Sequence, residues 1–144
     1  MAKIPRHGYV CSVDVSSTPT NISSTCGDCD IDITVNMGNV FTADTVYRQN
    51  VEGGGKFATV TLTIIRTTGT TEAYRIFNDW LLEATKTART LTIDSPDSNS
   101  GSFRLTGEFS LRSFQTARRS PGSGDAELLQ AVLESDGAFT HAVI

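Results

Sequence analysis

The chain has 144 residues, enough for one domain with a hydrophobic core and too few for a sizeable second one. Hydrophobic residues make up 38% and charged residues 19% of the sequence, a balance typical of neither a disordered chain nor a membrane-embedded one. The formal net charge of -4 argues against a groove that holds nucleic acid by phosphate neutralisation, although it allows a surface along which nucleic acid slides.

The N-terminal segment and the cysteines bear on where the chain is made. Residues 1–8 include Lys3 and Arg6, but no apolar stretch follows them, so a secretory signal is not expected. No uncharged apolar run is long enough to span a bilayer. The chain has three cysteines, Cys11, Cys26 and Cys29, an odd and sparse set. We therefore expect reduced thiols in a chain made in a cytosol, with no membrane partner.

Alternation of apolar and polar residues predicts strands in the first half. Residues 9–15 form the first predicted strand, and Pro19 and Asn21 then mark a turn region. A strict period of two over residues 28–35 predicts the next strand, because this period would scatter apolar residues around a helix. Its two predicted faces are Cys29, Ile31, Ile33 and Val35 on one side, and Asp28, Asp30, Asp32 and Thr34 on the other.

A long connection is predicted over residues 38–56. Its end carries Gly53, Gly54 and Gly55 in a row, which leaves the backbone nearly unrestrained and indicates mobility. Connections of this length are often functional in compact domains. Residues 57–66 alternate again and predict a strong strand.

One segment has the helical period. In residues 71–86 the bulky and apolar residues recur at spacings of three and four, which predicts an amphipathic helix. Gly69 and Thr70 precede it as a plausible N-cap, with Glu72 in the first turn facing the helix dipole and Lys86 near the carbonyl end. The apolar members of the pattern are Tyr74, Ile76, Phe77, Trp80, Leu81 and Ala84.

The last third returns to strand patterns. Residues 89–93 and 103–111 are predicted strands separated by a turn cluster at 95–101, and residues 116–126 form a predicted exposed loop. Residues 127–134 are ambiguous because their composition favours a helix. Residues 138–144 are predicted as a strand that follows an Asp136-Gly137 turn.

The motifs that could carry chemistry fail on spacing. Cys26-Gly27-Asp28-Cys29 is a single Cys-x-x-Cys, and we interpret it as a structural turn because Cys11 is remote in sequence and His7 and His141 lie at opposite chain ends. The Asp28-x-Asp30-x-Asp32 pattern lacks the glycine and the final carboxylate of a calcium loop. A solvated strand face explains it better.

Catalysis finds no support in the sequence. No Gly-x-Ser-x-Gly elbow occurs, and the segment from Gly53 to Lys56 lacks the spacing of a phosphate-binding loop. Trp80 lies among apolar residues of the predicted helix, so we expect it in the core. We therefore predict no enzyme, no catalytic residue, no metal and no cofactor.

The order of elements resembles that of the tail-tube (major tail) proteins of long-tailed phages, from about Gly8 onward. Family members would have a strand at residues 127–134, where propensity favours a helix. The resemblance is carried by the segment Ile31-Asp32-Ile33-Thr34-Val35, residues 53–62, the helix at 72–82 leading to the strand at Arg89, the segments 103–113 and 128–134, and the turn at 135–137.

This resemblance implies a mainly β fold: a β-sandwich or partial barrel with one flanking helix, in a single domain over residues 1–144. Six copies would form a ring whose sheets close a continuous barrel, and rings would stack helically into a tube in the virion tail, assembled in the host cytoplasm. Genomic DNA and a tape-measure protein would occupy the lumen. Terminator and baseplate or distal tail proteins would bind the ends. Contractile tails, type VI secretion tubes and gene-transfer particles share this architecture.

Two sets of candidate site residues follow from the resemblance. Because a DNA conduit should repel its cargo weakly, we hypothesise that the carboxylates Asp28, Asp30, Asp32 and Glu108 include lumen-facing groups, with the helix outside. The connection before Phe57 would reach a neighbouring subunit or ring. Its candidate contact residues are Val46, Tyr47, Arg48, Val51, Gly53, Gly54 and Gly55.

Two other classes of protein compete with the tail tube. A tail terminator, connector or baseplate subunit would form a ring without stacking indefinitely. A small carbohydrate-binding β-sandwich would expose several aromatic residues on one face, but Trp80 and Tyr74 fall in the predicted helix.

Overall fold

The computed structural model describes residues 9–40, 49–84, 87–95, 103–117 and 127–143. These residues form seven strands, one α-helix and one short 3-10 helix over Ser23–Thr25. The fold is mainly β with one helix, as predicted. The strands and the α-helix are β1 (Val10–Val15), β2 (Thr18–Asn21), β3 (Cys26–Val40), β4 (Gln49–Ile65), α1 (Ala73–Leu81), β5 (Arg89–Asp94), β6 (Phe103–Phe114) and β7 (Leu128–Val143).

All seven strands belong to one antiparallel sheet with the order β2-β1-β5-β6-β7-β4-β3. The sheet does not close, so β2 and β3 are its two edges. The core lies on one face of this sheet. On β4 the buried residues Val60, Leu62 and Ile64 alternate with threonines, and their partners on β7 are also buried.

Helix α1 covers part of the core face. Its buried residues Ala73, Ile76, Phe77 and Trp80 recur at spacings of three and one, which places them on one side of the helix. They pack on β6 and β4. The ring centroids of Phe77 and Phe114 are 5.8 Å apart, which ties the helix to the end of β6. The predicted burial of Ile76, Phe77 and Trp80 is confirmed, whereas Tyr74 and Leu81 are partly buried and Ala84, beyond the helix end at Leu81, is exposed.

The helix is shorter than predicted. It begins at Ala73 with Glu72 as the N-cap residue, so the predicted cap at Thr70 and the placement of Glu72 inside the first turn are wrong. Neither end has a local cap from its own side chains. The Ala73 N–H instead donates to Thr25 Oγ1, 3.2 Å away, in the distant 3-10 helix. Lys86 lies outside the described residues.

The predicted turn at Pro19 and Asn21 is also wrong, because both residues belong to β2. The chain reverses earlier, at Ser16 and Ser17, where φ is 51° and 65°. Val15 pairs with Thr18, so this is a two-residue hairpin with positive φ at both central positions.

The predicted connection at 38–56 is mostly strand. Residues 38–40 extend β3 and residues 49–56 begin β4, so Val51, Gly53, Gly54 and Gly55 lie in a strand rather than a loop. The remainder of that prediction, with Val46, Tyr47 and Arg48, lies outside the described residues. Most of the predicted turn at 95–101 and of the predicted loop at 116–126 lies outside them too.

β7 resolves the ambiguous segment and corrects its neighbour. Residues 127–134 lie almost entirely in a strand and not in a helix. The strand continues to Val143, so the predicted turn at Asp136-Gly137 does not separate two strands. Instead Gly107 pairs with Phe139 and Phe109 pairs with Ser135, which makes a bulge around Gly137, where φ is 93°.

Candidate functional site

Three of the four predicted carboxylates, Asp30, Asp32 and Glu108, share one face of the sheet. On β3, Asp30 and Asp32 pair with Thr61 and Thr59, which alternate with the buried residues of β4. Their side chains are exposed on the face opposite the core. Asp28 is exposed within a bulge at the start of β3.

Glu108 lies on β6, on the same face of the sheet opposite the core, which we call the outer face. It pairs with Thr90 of β5, whose hydroxyl donates a hydrogen bond to the Glu108 carboxylate. β6 and β3 are separated by β7 and β4 in the sheet, so Glu108 is at a distance of several strands from the three aspartates.

Ion pairs neutralise part of this outer face away from β3. Arg104 binds Asp94 at 2.6 Å and Arg112 binds Glu134 at 2.6 Å, both pairs well exposed. Among the described residues neither Asp30 nor Asp32 forms an ion pair. Asp30 and Asp32 on the edge strand β3 therefore add uncompensated negative charge to this face, as does Glu108 on β6, which forms no ion pair with any described residue.

The opposite face of β3 is apolar and only partly covered. Ile31 is half-buried, whereas Ile33 and Val35 are each 38% exposed. The alternation predicted from the sequence is present, but the core covers only its first half. Isolated exposed apolar residues are ordinary, but Ile33 and Val35 are neighbours on one face of an edge strand and form a strip that the described residues leave partly uncovered.

An open groove of about 1420 Å³ lies between β3 and β1, the strand next to the β2 edge, and Ile31 and Ile33 line it. Tyr9, Phe103 and His141 stand along it as an aromatic row, with ring centroids 5.7 Å apart for Tyr9–Phe103 and for Phe103–His141. The groove exists because the open sheet brings β1 near β3 without pairing the two strands.

Three cysteines meet in this groove, contrary to the prediction that Cys11 is remote from the other two. Cys11 on β1 is buried and reduced, and Cys26 and Cys29 on β3 are half-buried and reduced. The Cys11 thiol interacts with both of the others. Sequence spacing could not reveal this cluster, because it depends on the curl of the whole sheet.

The thiols affect one another's ionisation. The interaction with Cys26 lowers the pKa of Cys11, but the interaction with Cys29 and the burial of the thiol outweigh it and raise this pKa to about 12. The pKa of Cys26 is also raised, first by its interaction with Cys11 and then by burial. Both thiols are therefore protonated at neutral pH and are poor nucleophiles there.

Within the described ranges, no group of three or more His, Cys, Asp or Glu side chains has an arrangement that could hold a metal ion. In the same ranges the structure contains no helix with the length and apolar character needed to cross a membrane.

The fold matches those of several tube-forming particles. A chain from the tail of an empty gene transfer agent particle, determined with C6 symmetry, is 15% identical with a TM-score of 0.68, and the match covers 94% of this chain and 96% of that one. A chain from the tube-terminating cap of the anti-feeding prophage is 12% identical with a TM-score of 0.72, over 100% and 93% of the two chains.

A third match is a chain from the extended sheath–tube complex of an extracellular contractile injection system. It is 15% identical with a TM-score of 0.69, over 99% of this chain and 93% of that one. No protein-family profile and no curated protein sequence matches the chain. The predicted tail-tube-like fold is thus confirmed.

Proposed function

We propose that this chain is a structural, non-enzymatic subunit of a tail tube in a phage or phage-derived particle. Copies associate laterally into hexameric rings, and the rings stack into a hollow tube that conducts genomic DNA. The observation that carries the proposal is the open sheet, because each of its two edge strands, β2 and β3, is paired on one side only among the described residues.

Lateral association removes both edges at once. An unpaired edge strand is a hazard in a monomer, and a barrel closed between copies leaves no edge exposed. The uncovered side chains of Ile33 and Val35 lie on one of these edges, so a neighbouring copy would bury them together with the strand backbone. A head-to-tail contact between rings does not close on itself and extends the assembly into a tube.

The outer face of the sheet is the proposed wall of the lumen. It carries Asp30, Asp32 and Glu108, with Asp28 in the bulge at the start of β3 as the fourth proposed member, and it lies opposite the core face on which α1 packs, so the helix would lie on the outside of the tube. Uncompensated carboxylates on this wall would repel DNA and keep it from adhering.

The end of the β3–β4 hairpin is the proposed contact with a neighbouring subunit or ring. Val51, Gly53, Gly54 and Gly55 lie in the first part of β4, and the further candidates Val46, Tyr47 and Arg48 precede β4 in the sequence, outside the described residues. A tape-measure protein would share the lumen before DNA enters it, and terminator and baseplate proteins would cap the tube in a virion assembled in the host cytoplasm.

A ring-forming terminator or baseplate subunit is the second candidate. Chains from the anti-feeding prophage cap and from its baseplate both have TM-scores of 0.72 to this chain. Such a subunit would pair the same sheet edges with neighbouring copies in a ring, but its rings would not stack into a tube of indefinite length.

Electron microscopy of the concentrated purified chain tests the proposal. Tubes with a regular axial repeat are the expected result. Single rings that never stack would favour the terminator or baseplate role. Persistent monomers at high concentration would contradict both assembly roles.

The lumen assignment has a separate test. The triple variant Asp28→Lys, Asp30→Lys, Asp32→Lys is expected to assemble into tubes of unchanged diameter, because its side chains are exposed on β3. Particles carrying it should release DNA more slowly, since lysines bind the phosphates that carboxylates repel. The measurement is the rate of DNA release from triggered particles. Asp79→Lys, on the exposed side of α1, is the control and should not change this rate. Unchanged release by the triple variant would contradict the assignment.

A further inference from the structure

The cysteine cluster joins two strands that the sheet keeps apart. In the sheet order, β1 and β3 are separated by β5, β6, β7 and β4, and no backbone pairing links them. Cys11 pairs with the buried Ile93 on β5, so its side chain points to the core face. It lines the groove between β1 and β3.

A bulge turns both β3 cysteines toward Cys11. Residues three apart in a regular strand point to opposite faces, which would leave Cys26 or Cys29 on the outer surface. Here Cys26 pairs with Ile64 and Cys29 pairs with Leu62, so three steps along β3 match two steps along β4. Ile64 and Leu62 are both buried, and the two cysteines therefore share the core face.

Backbone hydrogen bonds hold Cys11 against the segment that leads to Cys26. The Ile22 N–H donates to the Cys11 carbonyl at 2.9 Å, and the Cys11 N–H donates to Ser23 Oγ at 2.9 Å. The 3-10 helix follows directly, and Cys26 is the next residue. Cys11 and Cys26 are thus positioned by fixed backbone on both sides of the groove.

We propose that Cys11 and Cys26 form a disulfide when a low-molecular-weight disulfide oxidises them. This bond would link β1 to β3 across the groove. The half-buried Cys26 thiol loses its proton and attacks one sulfur of the oxidant, which forms a mixed disulfide and releases one thiol. Cys11 then attacks the Cys26 sulfur, which forms the Cys11–Cys26 bond and releases the second thiol. Two protein protons end on the two released thiols, and the oxidant takes up the two electrons.

The Cys11–Cys26 disulfide is absent from the reduced chain, and we expect it to form slowly. Both participating thiols are protonated at neutral pH, so little thiolate is present to begin the exchange. Once the mixed disulfide forms, Cys11 is already adjacent, and the second step is intramolecular and favoured by a high effective concentration. This inference does not depend on the proposed tube function, because it concerns a link between β1 and β3 within one chain.

Oxidation of the purified full chain by oxidised glutathione tests the proposal. The free thiols, counted after denaturation, should fall from three to one, and non-reducing peptide mass spectrometry should identify a Cys11–Cys26 linkage. The oxidised chain should remain monomeric on non-reducing electrophoresis after denaturation. Its thermal midpoint should rise by roughly 10 °C over the reduced chain, because the crosslink restricts the unfolded state.

Matched variants distinguish the Cys11–Cys26 disulfide from general thiol reactivity. Cys29→Ser should still form the bond and retain the thermal shift, whereas Cys26→Ser should lose both. A bond between Cys26 and Cys29 or between Cys11 and Cys29 overturns the assignment. So does a stable glutathione adduct, a disulfide between two chains, or three thiols that stay free while the urea-unfolded chain oxidises under the same conditions.

Discussion

Gly107 on β6 lies opposite Phe139 on β7 at close range. A Cβ atom at this position would lie 2.7 Å from Phe139 Cβ and 3.0 Å from Phe139 Cα. Because both atoms are fixed to the β7 backbone, no side-chain rotation relieves the overlap. We expect Gly107→Ala to lower the free energy of unfolding by about 1–3 kcal/mol, measured by urea denaturation.

Gly27 is the matched control for this prediction. It also lies in a strand of the same sheet, but a Cβ atom there would lie 3.6 Å from the nearest atom, the Thr63 carbonyl oxygen, which is ordinary contact. Gly27→Ala should therefore change the urea midpoint little. Equal losses in the two variants would show that glycine flexibility, and not the approach to Phe139, sets the effect.

Burial of single residues was predictable where the local pattern decided it. The helical spacing of Ile76, Phe77 and Trp80 predicted a buried face, and all three are buried. The contacts that complete each site were not predictable, because they come from distant segments. The Trp80 indole N–H donates to the Thr87 carbonyl at 2.9 Å, and the Arg89 guanidinium lies 5.1 Å from the Trp80 ring centroid. Cys11 beside Cys26 is the clearest case.

At the scale of elements, the β1–β2 hairpin has an unfavourable turn sequence. Its two central residues, Ser16 and Ser17, have φ of 51° and 65°, a region that costs most L-residues about 1 kcal/mol or more each. Asn-Gly is the sequence that this turn favours. We expect Ser16→Asn with Ser17→Gly to raise the free energy of unfolding by about 1 kcal/mol, measured by urea denaturation. Ser16→Ala with Ser17→Ala should give no gain, and equal gains would contradict the turn assignment.

The N-terminus of α1 depends on a cap from another element. Thr25 is buried, and its Oγ1 accepts the Ala73 N–H at 3.2 Å. Thr25→Val keeps the shape but leaves this donor unsatisfied, so we expect a loss of about 1–2 kcal/mol in unfolding free energy. Thermal denaturation against Thr25→Ser, which keeps the hydroxyl, is the measurement. A larger loss in the serine variant would show that the Thr25 methyl group matters more than the cap.

Three elements show where local sequence patterns gave a wrong or ambiguous prediction. The Ser-Ser turn has neither glycine nor asparagine, so Pro19 and Asn21 in β2 looked like the better turn. The helix start was placed at a local cap, Thr70, because the real cap is far away in sequence. Residues 127–134 favour a helix locally, but pairing with β4 on one side and β6 on the other makes them a strand.

At the scale of the molecule, the sequence predicted which faces are apolar but not how far the sheet covers them. The alternation in β3 correctly separated Ile33 and Val35 from the aspartates. The sheet order is set by pairings between distant segments, such as β1 with β5, which no local pattern encodes. Only the resemblance to tail-tube proteins supplied the overall fold class, and it could not show that the sheet is left open along β3.

Substitutions in the strip formed by Ile33 and Val35 can therefore distinguish the folding of one chain from its assembly. Both side chains are 38% exposed in the single chain, so Ile33→Lys with Val35→Lys should leave the circular dichroism spectrum and the thermal midpoint nearly unchanged. A neighbour that pairs with β3 would bury two lysine charges without partners, so we expect tube formation to be lost. Sedimentation and electron microscopy measure this. Leu82→Lys, 72% exposed just after α1, is the control and should assemble normally. Tubes formed equally by both variants would exclude this strip from the lateral contact.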